Sequence, residues 1–414
     1  MKILILTALY PPLGASGHDD RCRQVVDGLS VRGHKLQVLT SDYRLPPMGV
    51  PGEKGVYRHM QLHDAEAIES ATDAPFRGKY EHELAQARAL VQRIDRFQPD
   101  VVYVWNMNGV SKSLLFTLQE QGMPLVCDLH NTWSEPGEFD RDPWFQWWQH
   151  SRALGTKCYQ LYLKLIGAAR RHVRNFPIGQ VNDLDLSNSY VASESLRERL
   201  EEAGVEQVAD LPVLHPALDV NQLIFKFMYQ PARKFVWAGR LNAGKAPGLA
   251  LLAVSVLKSR GVRVSLDFYG MGEPSERKAM RNLINSSGLS GSVRMIGIRP
   301  GELVSKYAEY DAFLFTSHCN DPFPVTPLEA MLSGLPAILS RDGGIEEVMK
   351  EGETALLYEA GDAEALADAM QRMMALNDGG SAMAKKCMER LQAQHSLDIV
   401  VPGIEALLSA AIKS

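Results

Sequence analysis

The sequence predicts an α/β protein built from two doubly wound, Rossmann-like domains that face a deep interdomain cleft. Short apolar runs alternate with helical patterns along most of the chain, which is typical of parallel sheets with right-handed crossovers. The alternation weakens over about 135–178 and starts afresh near Phe235. A length of 414 residues suits two or three domains, so we expect one domain at 1–205 and a second at 215–395.

The first domain opens as a strand, a glycine-containing loop, a helix and a second strand. Residues 3–6 form a continuous apolar run, as expected for a parallel strand that is covered on both faces. The loop after it reaches Gly17, and the helical pattern that follows ends at Gly33, which suits a helix C-terminus. Further strands are predicted at 36–39, 101–104 and 125–129, with a helix at about 80–97.

The second domain repeats this alternation. Strands are predicted near 235–238, 264–269, 293–296, 312–315 and 337–339. A last helix, within 396–414, can pack back on the N-terminal domain. In open α/β sheets, ligands bind beyond the carboxyl ends of the strands, so we expect the functional residues on the loops that follow the strands.

Composition excludes several classes of protein. Hydrophobic residues make up 45% of the chain and charged residues 22%, which is typical of a globular protein and not of a disordered chain, a coiled coil or a collagen-like repeat. The formal net charge of -5 argues against general nucleic-acid binding, because affinity for a phosphate backbone needs a basic surface.

The spacing of the cysteines and the length of the apolar runs bear on the cellular compartment of the protein. The five cysteines are widely spaced and form no CxxC pair, so we expect neither a disulfide framework nor a structural zinc site. The opening apolar run is too short for a signal peptide, and no run approaches the ~18 apolar residues of a membrane span. These features predict a cytoplasmic protein.

Two cations follow the first strand of the second domain, on the glycine-containing segment 239–245. Arg240 offers a planar fork that matches phosphate, and Lys245 offers a mobile point charge five residues later. This pattern suits a diphosphate group. Two solvated surface charges are the ordinary alternative.

A second loop leads from Asp321 into a helix. Thr326, Pro327 and Glu329 fit the N-cap, first and third helical positions of a T-x-x-E capping box. The N-terminus of such a helix also offers free N–H groups and partial positive charge to an anion. Glu329 therefore has two interpretations, as a helix cap or as an acceptor of hydrogen bonds from a ligand diol.

Taken in order, these motifs resemble glycosyltransferase family 4, a large group of retaining enzymes with the GT-B fold. The family's G-R-L-x-x-x-K loop is matched at 239–245, and its acidic pair at E-x7-E spacing is matched by Asp321 and Glu329. Further matches are Y-P-P at 10–12, R-G-H at 32–34, G-x-G at 270–272, A-M-x-x-G-x-P at 330–336, G-G-I-x-E at 343–347 and G-D at 361–362. The resemblance implies sugar transfer from a nucleotide-diphosphate donor to an acceptor hydroxyl, in polysaccharide, glycan or glycolipid biosynthesis.

The resemblance assigns roles to residues of the second domain. Arg240 and Lys245 would hold the donor diphosphate and stabilise the charge on the leaving group, so that no metal or other cofactor is expected. Glu329 would bind the ribose hydroxyls. Val325 and Thr326 would offer backbone N–H groups to the donor.

Asp321 departs from the family pattern. The resemblance places it near the donor sugar as a catalytic group, but the usual residue there is Glu, whose side chain reaches roughly 1.5 Å further. Direct contact with the sugar is therefore in question, and donor choice can change. Pro324 stands where the family has Gly, which removes one N–H donor.

Other residues carried over from the family lie on the remaining loops. Gly17 would let the backbone approach the donor, although Ser16 replaces the family's other glycine. His130 ends a strand and matches a histidine beside the sugar and the acceptor. Gly272 and Ile298 would line the nucleotide.

Two literal D-x-D triplets occur, at 140–142 and 183–185. Neither falls on a loop that is predicted to follow a sheet strand at the cleft. We interpret both as exposed surface pairs, and we expect no metal site.

The stretch 144–174 combines aromatic and basic residues. Trp144, Trp147 and Trp148 precede Arg170, Arg171 and Arg174. Such a surface can lie against anionic lipid headgroups and bring a lipid-linked acceptor to the enzyme at the inner face of the membrane. An ordinary connecting helix with a basic solvated face is the alternative.

Three other functions remain open at this point. An NAD-dependent oxidoreductase needs G-x-G-x-x-G after the first strand, and the chain offers only Gly14 and Gly17 there. A non-enzymatic sugar-binding protein of two domains would normally be exported with a signal segment. An inverting GT-B transferase or a nucleotide-sugar epimerase shares the fold, and Arg240, Lys245 and Glu329 favour the retaining family over both.

Overall fold

The computed structural model describes residues 1–13, 17–62, 76–150, 157–158, 161–162, 179–297 and 302–413. It divides into two compact units. The first unit contains Met1–Ala192, Arg197–Leu214 and Val401–Ser414, and the second contains Ser193–Leu196 and His215–Val400.

The first unit contains a six-stranded sheet in the order β3-β2-β1-β4-β5-β6. Its strands are β1 (Lys2–Thr7), β2 (Lys35–Ser41), β3 (Val56–Met60), β4 (Val101–Asn106), β5 (Leu125–Leu129) and β6 (Tyr190–Val191). Every pairing is parallel. The strand order reverses between β1 and β4, which is the position where doubly wound sheets bind ligands.

The helices described up to residue 202 connect or cover these strands. They are α1 (Gly17–Val31), α2 (Phe76–Phe97), α3 (Ser113–Glu120), α4 (Pro136–Phe139), α5 (Pro143–His150) and α6 (Glu194–Glu202). Gly33, two residues after α1, has a φ of 89°, so the predicted glycine ending is confirmed.

The second unit contains its own parallel sheet, in the order β12-β11-β10-β7-β8-β9. Its strands are β7 (Lys234–Arg240), β8 (Ser265–Met271), β9 (Val293–Met295), β10 (Ala312–Phe315), β11 (Ala337–Ser340) and β12 (Leu356–Tyr358). This is the same topology as in the first unit, and its order reverses between β7 and β10. The predicted pair of Rossmann-like domains is therefore confirmed.

Helices of the second half alternate with these strands and then complete the chain. They are α7 (Pro247–Ser259), α8 (Pro274–Ser286), α9 (Val325–Leu332), α10 (Gly344–Glu347), α11 (Ala363–Met374), α12 (Ser381–His395) and α13 (Leu397–Ala411). No helix among the described residues is both long enough and apolar enough to cross a membrane.

Apolar burial explains both sheets. Residues 3–6 of β1 are fully buried, as their continuous apolar run predicts. In the second unit, Phe235 and Phe268 on neighbouring strands pack with Leu257 of α7 and Met370 of α11. Each such side chain contributes about 1.5–3 kcal/mol on burial, which stabilises the sheets that carry the loops at their carboxyl ends.

Candidate functional site

Segment 239–245, which carries Arg240 and Lys245, is held by strand pairing and by hydrogen bonds. β7 extends through Arg240, so Gly239 and Arg240 belong to the strand and not to the loop where the sequence pattern placed them. The Arg240 side chain is exposed at the strand end. The backbone N–H of Lys245 donates to Asn242 Oδ1 at 3.0 Å, and Ala246 follows with a φ of 43°.

A buried threonine fixes this loop to β10. The hydroxyl of Thr316, just after β10, lies 2.8 Å from the carbonyl oxygen of Lys245 and accepts a hydrogen bond of 2.8 Å from Trp237 Nε1. His318 N–H donates to Gly244 O at 3.0 Å. The loops after β7 and β10 are thus joined where the strand order reverses.

Lys245 and Asp321 meet at this position. Lys245 Nζ forms an ion pair with Asp321 Oδ2, and Asp321 is buried. Burial lowers the pKa of Lys245, the nearby Arg240 adds to that effect, and Cys319 and Asp342 oppose it. The structure therefore brings three of the predicted residues, Arg240, Lys245 and Asp321, into one electrostatic cluster.

The backbone of Asp321 is clamped by the turn after β11. The N–H groups of Asn320 and Asp321 donate to the carboxylate of Asp342, at 2.7 and 3.4 Å, and Gly344 N–H donates to Asp321 O at 3.0 Å. Gly343 has a φ of 66°, and a Cβ there would collide with the backbone of Asp321. Sequence reasoning missed Asp342, although it directly precedes the G-G-I-x-E motif.

The predicted capping box on α9 is wrong. The helix begins at Val325 with Pro324 in the N-cap position, and no side chain caps it. Pro327 is therefore the third helical residue, where it is tolerated because the first-turn N–H groups have no intrahelical partner. Val325 and Thr326 lie in this first turn, as their predicted role requires.

Glu329 instead contacts a buried tyrosine. The Tyr307 hydroxyl lies 3.3 Å from Glu329 Oε2 and 3.3 Å from Thr326 O. Burial raises the pKa of Tyr307 and the Glu329 carboxylate raises it further, so this phenol stays a hydrogen-bond donor. The Glu329 carboxylate is half-buried on the second turn of α9.

Gly272 directly follows β8, which pairs with β7 up to Arg240 and Met271. Its carbonyl oxygen accepts a hydrogen bond of 2.9 Å from Arg277, and a Cβ at Gly272 would collide with Glu276. A larger residue at position 272 would therefore displace the Glu276 side chain. Ile298, predicted to line the nucleotide, lies outside the described residues.

In the first unit, His130 belongs to a buried polar cluster just after β5. His130 Nδ1 lies 3.0 Å from Asp128 Oδ1, and the other oxygen of Asp128 accepts hydrogen bonds from Arg21 at 3.0 Å and Tyr190 at 2.7 Å. Arg21, Asp128 and His130 are 3%, 1% and 1% exposed. Because these polar groups are buried, breaking any of these hydrogen bonds costs folding free energy.

The face of His130 is covered by aromatic rings. The His18 ring lies 4.8 Å away and the Trp105 ring 5.2 Å away, centre to centre. Gly17 is the first residue of α1, so its neighbour His18 stands in the first turn of that helix. Sequence reasoning missed His18 and Arg21. The helical pattern of α1 does not indicate which of its polar residues contact a strand that is distant in sequence. Ser16 lies outside the described residues.

Two other sequence interpretations need correction. Asp142 of the first D-x-D triplet is fully buried, not exposed. Its Oδ1 accepts from Trp144 N–H and Phe145 N–H at 2.9 and 3.1 Å, and its Oδ2 accepts from Lys112 N–H at 2.7 Å. It therefore caps α5 and anchors the segment before α3. Asp183 and Asp185 are exposed, as expected.

The tryptophans of α5 do not form a surface patch. Trp144 and Trp147 are 2% and 0% exposed and stack on each other at 5.2 Å, and Trp148 is half-buried. Arg170, Arg171 and Arg174 lie outside the described residues. Contact with a membrane through this stretch stays a prediction.

No group of three or more His, Cys, Asp or Glu side chains within the described ranges could hold a metal ion. In the second unit, Arg240 and Lys245 lie near the carboxylates of Asp321 and Asp342. In the first unit, the carboxylate of Asp128 orients His130.

Comparison with known families matches both halves of the chain. Residues 16–178 match the model of Glycosyltransferase Family 4, and residues 226–392 match the model of Glycosyl transferases group 1. The two matches fall one on each unit and together span most of the sequence.

Individual relatives are similar over a shorter stretch. A D-inositol 3-phosphate glycosyltransferase of Corynebacterium urealyticum is 33% identical over 160 residues, 37% of this chain. The amylovoran biosynthesis glycosyltransferase AmsK of Erwinia amylovora is 30% identical over 152 residues, 35% of this chain. These matches span 38% and 37% of the two relatives' own lengths.

Among solved structures, Anabaena Alr3699/HepE in complex with UDP-glucose has a TM-score of 0.68 and 18% sequence identity. The likeness covers 99% of this chain and 100% of that one, and at this identity it concerns the fold alone. The two units thus have the GT-B fold, and with both family models matched, the chain belongs to glycosyltransferase family 4 (glycosyl transferases group 1).

Proposed function

We propose that this protein transfers a sugar from a nucleotide-diphosphate donor to a hydroxyl group of a glycan or lipid-linked acceptor. One observation carries the proposal. Arg240, Lys245 and Asp321 converge where the strand order of the second sheet reverses, which is the expected place for a ligand in such a sheet. The guanidinium of Arg240 and the ammonium group of Lys245 suit a diphosphate.

The cations stabilise the leaving group. As the bond between the sugar anomeric carbon and the phosphate oxygen breaks, negative charge grows on the diphosphate. Arg240 and Lys245 offset this charge, and Thr316 holds the backbone of the loop that carries Lys245. Removing one such group costs about two to three orders of magnitude in turnover.

Glu329 and the first turn of α9 complete the donor side. The half-buried carboxylate accepts hydrogen bonds from the ribose hydroxyls, and the N–H groups of Val325 and Thr326 face the phosphates. The Tyr307 hydroxyl donates to the same carboxylate at 3.3 Å. Gly272 flanks the nucleotide, the same role stays a prediction for Ile298, and we expect no metal ion to take part.

The proposal includes retention of anomeric configuration. The acceptor hydroxyl attacks the anomeric carbon on the face from which the phosphate leaves. The new carbon–oxygen bond forms as the old one breaks, and the acceptor proton passes to the departing phosphate oxygen. In this proposal Asp321 lies beside the donor sugar, and the roles that the family resemblance gives to His130 and Gly17 stay predictions. No enzyme nucleophile is required.

An inverting reaction is the second candidate, because one feature favours it. His130 is hydrogen-bonded through Nδ1 to Asp128, which is how a general base is oriented. Proton NMR of the product distinguishes the two: an α-linked product from an α-linked donor indicates retention, and a β-linked product indicates inversion.

Donor binding is tested first. We expect one class among UDP-, GDP-, ADP- and dTDP-sugars to raise the melting temperature, because a ligand that binds only the folded state stabilises it. UDP-glucose is the first choice, since the structural relative Alr3699/HepE was solved with it. Failure of every nucleotide sugar to bind would count against the proposal.

Transfer is tested with matched variants. Arg240→Ala should lower turnover by about two to three orders of magnitude with an unchanged melting temperature. Arg281→Ala, an exposed arginine on α8, is the control and should behave like the wild type. Equal activity of the two variants would remove Arg240 from the site.

A further inference from the structure

Two large apolar side chains project from the second unit shortly before its first strand. Phe227 is 85% exposed and Met228 is 84% exposed, and Ile224, three residues before Phe227, is 49% exposed. Apolar side chains exposed singly are ordinary on a protein surface, whereas contiguous exposed apolar surface marks an interaction site. We call residues 224–229 the apolar tip.

The backbone of the apolar tip is anchored on both sides of the exposed pair. The Lys226 N–H donates to Ser333 O at 2.8 Å, and Lys226 is only 9% exposed. The Tyr229 hydroxyl donates to Gly334 O at 2.8 Å. Phe227 and Met228 are therefore turned outwards from a segment whose flanking residues are held against the end of α9.

The apolar tip lies at the edge of the second sheet where the strands begin. It is followed by β7, whose first residue is Lys234. Gln230 Nε2 donates to Asp311 Oδ1 at 3.1 Å, and Asp311 directly precedes β10. Lys245 and Asp321 follow strands of this parallel sheet and so belong to its opposite edge. A surface that covers the tip therefore leaves the loops with Lys245 and Asp321 open.

Basic side chains accompany the apolar tip. Arg233 and Arg263 are exposed, and Arg233 Nη1 donates to the carbonyl oxygen of Arg263 at 3.3 Å. Lys234 is half-buried at the start of β7. Burial lowers the pKa of Lys226, Asp311 opposes that effect and Lys234 adds to it, so these three charges lie near one another.

The acidic groups at this edge are engaged locally. Asp311 is 3% exposed, and its Oδ2 accepts from the N–H groups of Arg233 and Lys234 at 2.9 and 2.8 Å. Asp378 precedes a glycine that lies against the backbone just after the tip, and its carboxylate accepts two N–H groups at the start of α12. Glu309 forms an ion pair at 2.9 Å with a lysine three residues before it. Among these residues, positive charge exceeds negative.

We propose that the apolar tip docks on the surface of an anionic lipid bilayer, with Phe227 and Met228 entering the headgroup layer and Arg233 and Arg263 facing lipid phosphates. Basic residues near a membrane attract anionic lipids, and apolar side chains add affinity by leaving water. Projecting side chains suit a deformable bilayer, since a protein partner would need a pocket shaped for them. This surface is separate from stretch 144–174, and lipid binding here does not depend on the proposed function.

Vesicle co-sedimentation with the full chain tests the apolar contact. We expect binding to vesicles of equal parts phosphatidylcholine and phosphatidylglycerol, weaker binding to phosphatidylcholine alone, and a decline with added salt, because exposed charges are screened. The double variant Phe227→Ser and Met228→Ser should bind about tenfold or more weakly at an unchanged melting temperature. Met48→Ser, at a 97% exposed methionine of the first unit, is the matched control and should bind like the wild type. Equal binding of the double variant and the wild type would overturn the proposal.

The charge contact is tested with a pair of arginine variants. Arg233→Gln should weaken binding to the anionic vesicles about fivefold, which is the effect of one basic residue near a membrane surface. Arg281→Gln changes the net charge equally at an exposed position on α8 and should bind like the wild type. The same loss in both variants would mean that binding follows net charge alone, and docking through this edge would be wrong.

Entry of the tip into lipid is measured by tryptophan fluorescence, with the signal of the six native tryptophans subtracted. Phe227→Trp should show a blue shift and quenching by brominated lipid when anionic vesicles are added, while Met48→Trp should show neither. No quenching at position 227 in vesicle-bound protein would refute the entry of Phe227. Sedimentation velocity provides the last check: a wild-type dimer that the double variant cannot form, without vesicle binding, would make the tip a contact between copies of the chain and overturn lipid docking.

Discussion

The stability of the second unit should depend on pH through a buried histidine at the end of α12. His395 is 0% exposed, and its Nδ1 lies 2.8 Å from the carbonyl oxygen of Pro216. The rings of Phe323 and His215 lie 5.3 and 5.5 Å from it. Burial lowers the pKa of His395 to about 4, with His215 and Arg390 adding to the effect and the Pro216 hydrogen bond opposing it.

The sign and size follow from proton linkage. In the unfolded chain this histidine has a pKa of about 6.5. Between these two values the unfolded state binds a proton that the folded state does not, so stability falls as the pH drops from 6.5 towards 4. At pH 5 the loss from this one group is on the order of 2 kcal/mol relative to pH 7.5.

The assay is urea unfolding at pH 7.5 and at pH 5.0. Unfolding of the second unit is monitored by hydrogen exchange in its peptides. We expect His395→Gln, which cannot ionise, to lose about 2 kcal/mol less than the wild type over this interval. His318→Gln, an exposed histidine in the same unit, is the control and should follow the wild type. The same pH dependence in His395→Gln and the wild type would refute this account.

The remaining predictions concern other contacts. Asp321→Asn removes the ion-pair partner of Lys245 and should raise affinity for free UDP several-fold in calorimetry while transfer falls; weaker UDP binding would contradict this. Asp342→Ala releases two N–H groups of the Asp321 loop and should lower kcat/KM by roughly tenfold, and an unchanged value would mean the clamp is dispensable. Tyr307→Phe should cost about 1 kcal/mol in urea unfolding, and no loss would show that its 3.3 Å contacts are too long to matter. Asp142→Ala removes the cap of α5 and should cost about 1–2 kcal/mol, seen as faster exchange at the start of that helix; unchanged exchange there would argue against the cap.

The sequence pattern predicted both sheets because a parallel strand that is covered on both faces has a continuous apolar run in its sequence. The run at residues 3–6 and the one at 312–315 both became buried strands. Lys245 and Asp321 could also be placed together, since both follow strands of one sheet and such loops share an edge. Strand ends were less predictable: β7 runs on through Gly239 and Arg240 because β8 pairs with them to Met271.

Features that depend on distant partners escaped prediction. The capping box failed because α9 begins at Val325 with Pro324 as its N-cap, so Thr326 and Glu329 fall at the second and fifth helical positions. The tryptophans of α5 fit a membrane surface or a core equally well until burial is known. Arg21 lies 107 residues before Asp128, and no local pattern joins them.

The sharing of one carboxylate by Arg21, Tyr190 and His130 has an evolutionary consequence. A substitution at any of these positions leaves the others with a mismatched donor or an unpaired charge, so each single change is expected to lower stability. Relatives in which residue 128 is not acidic should therefore differ at residue 21 as well, and these positions are expected to change together or not at all.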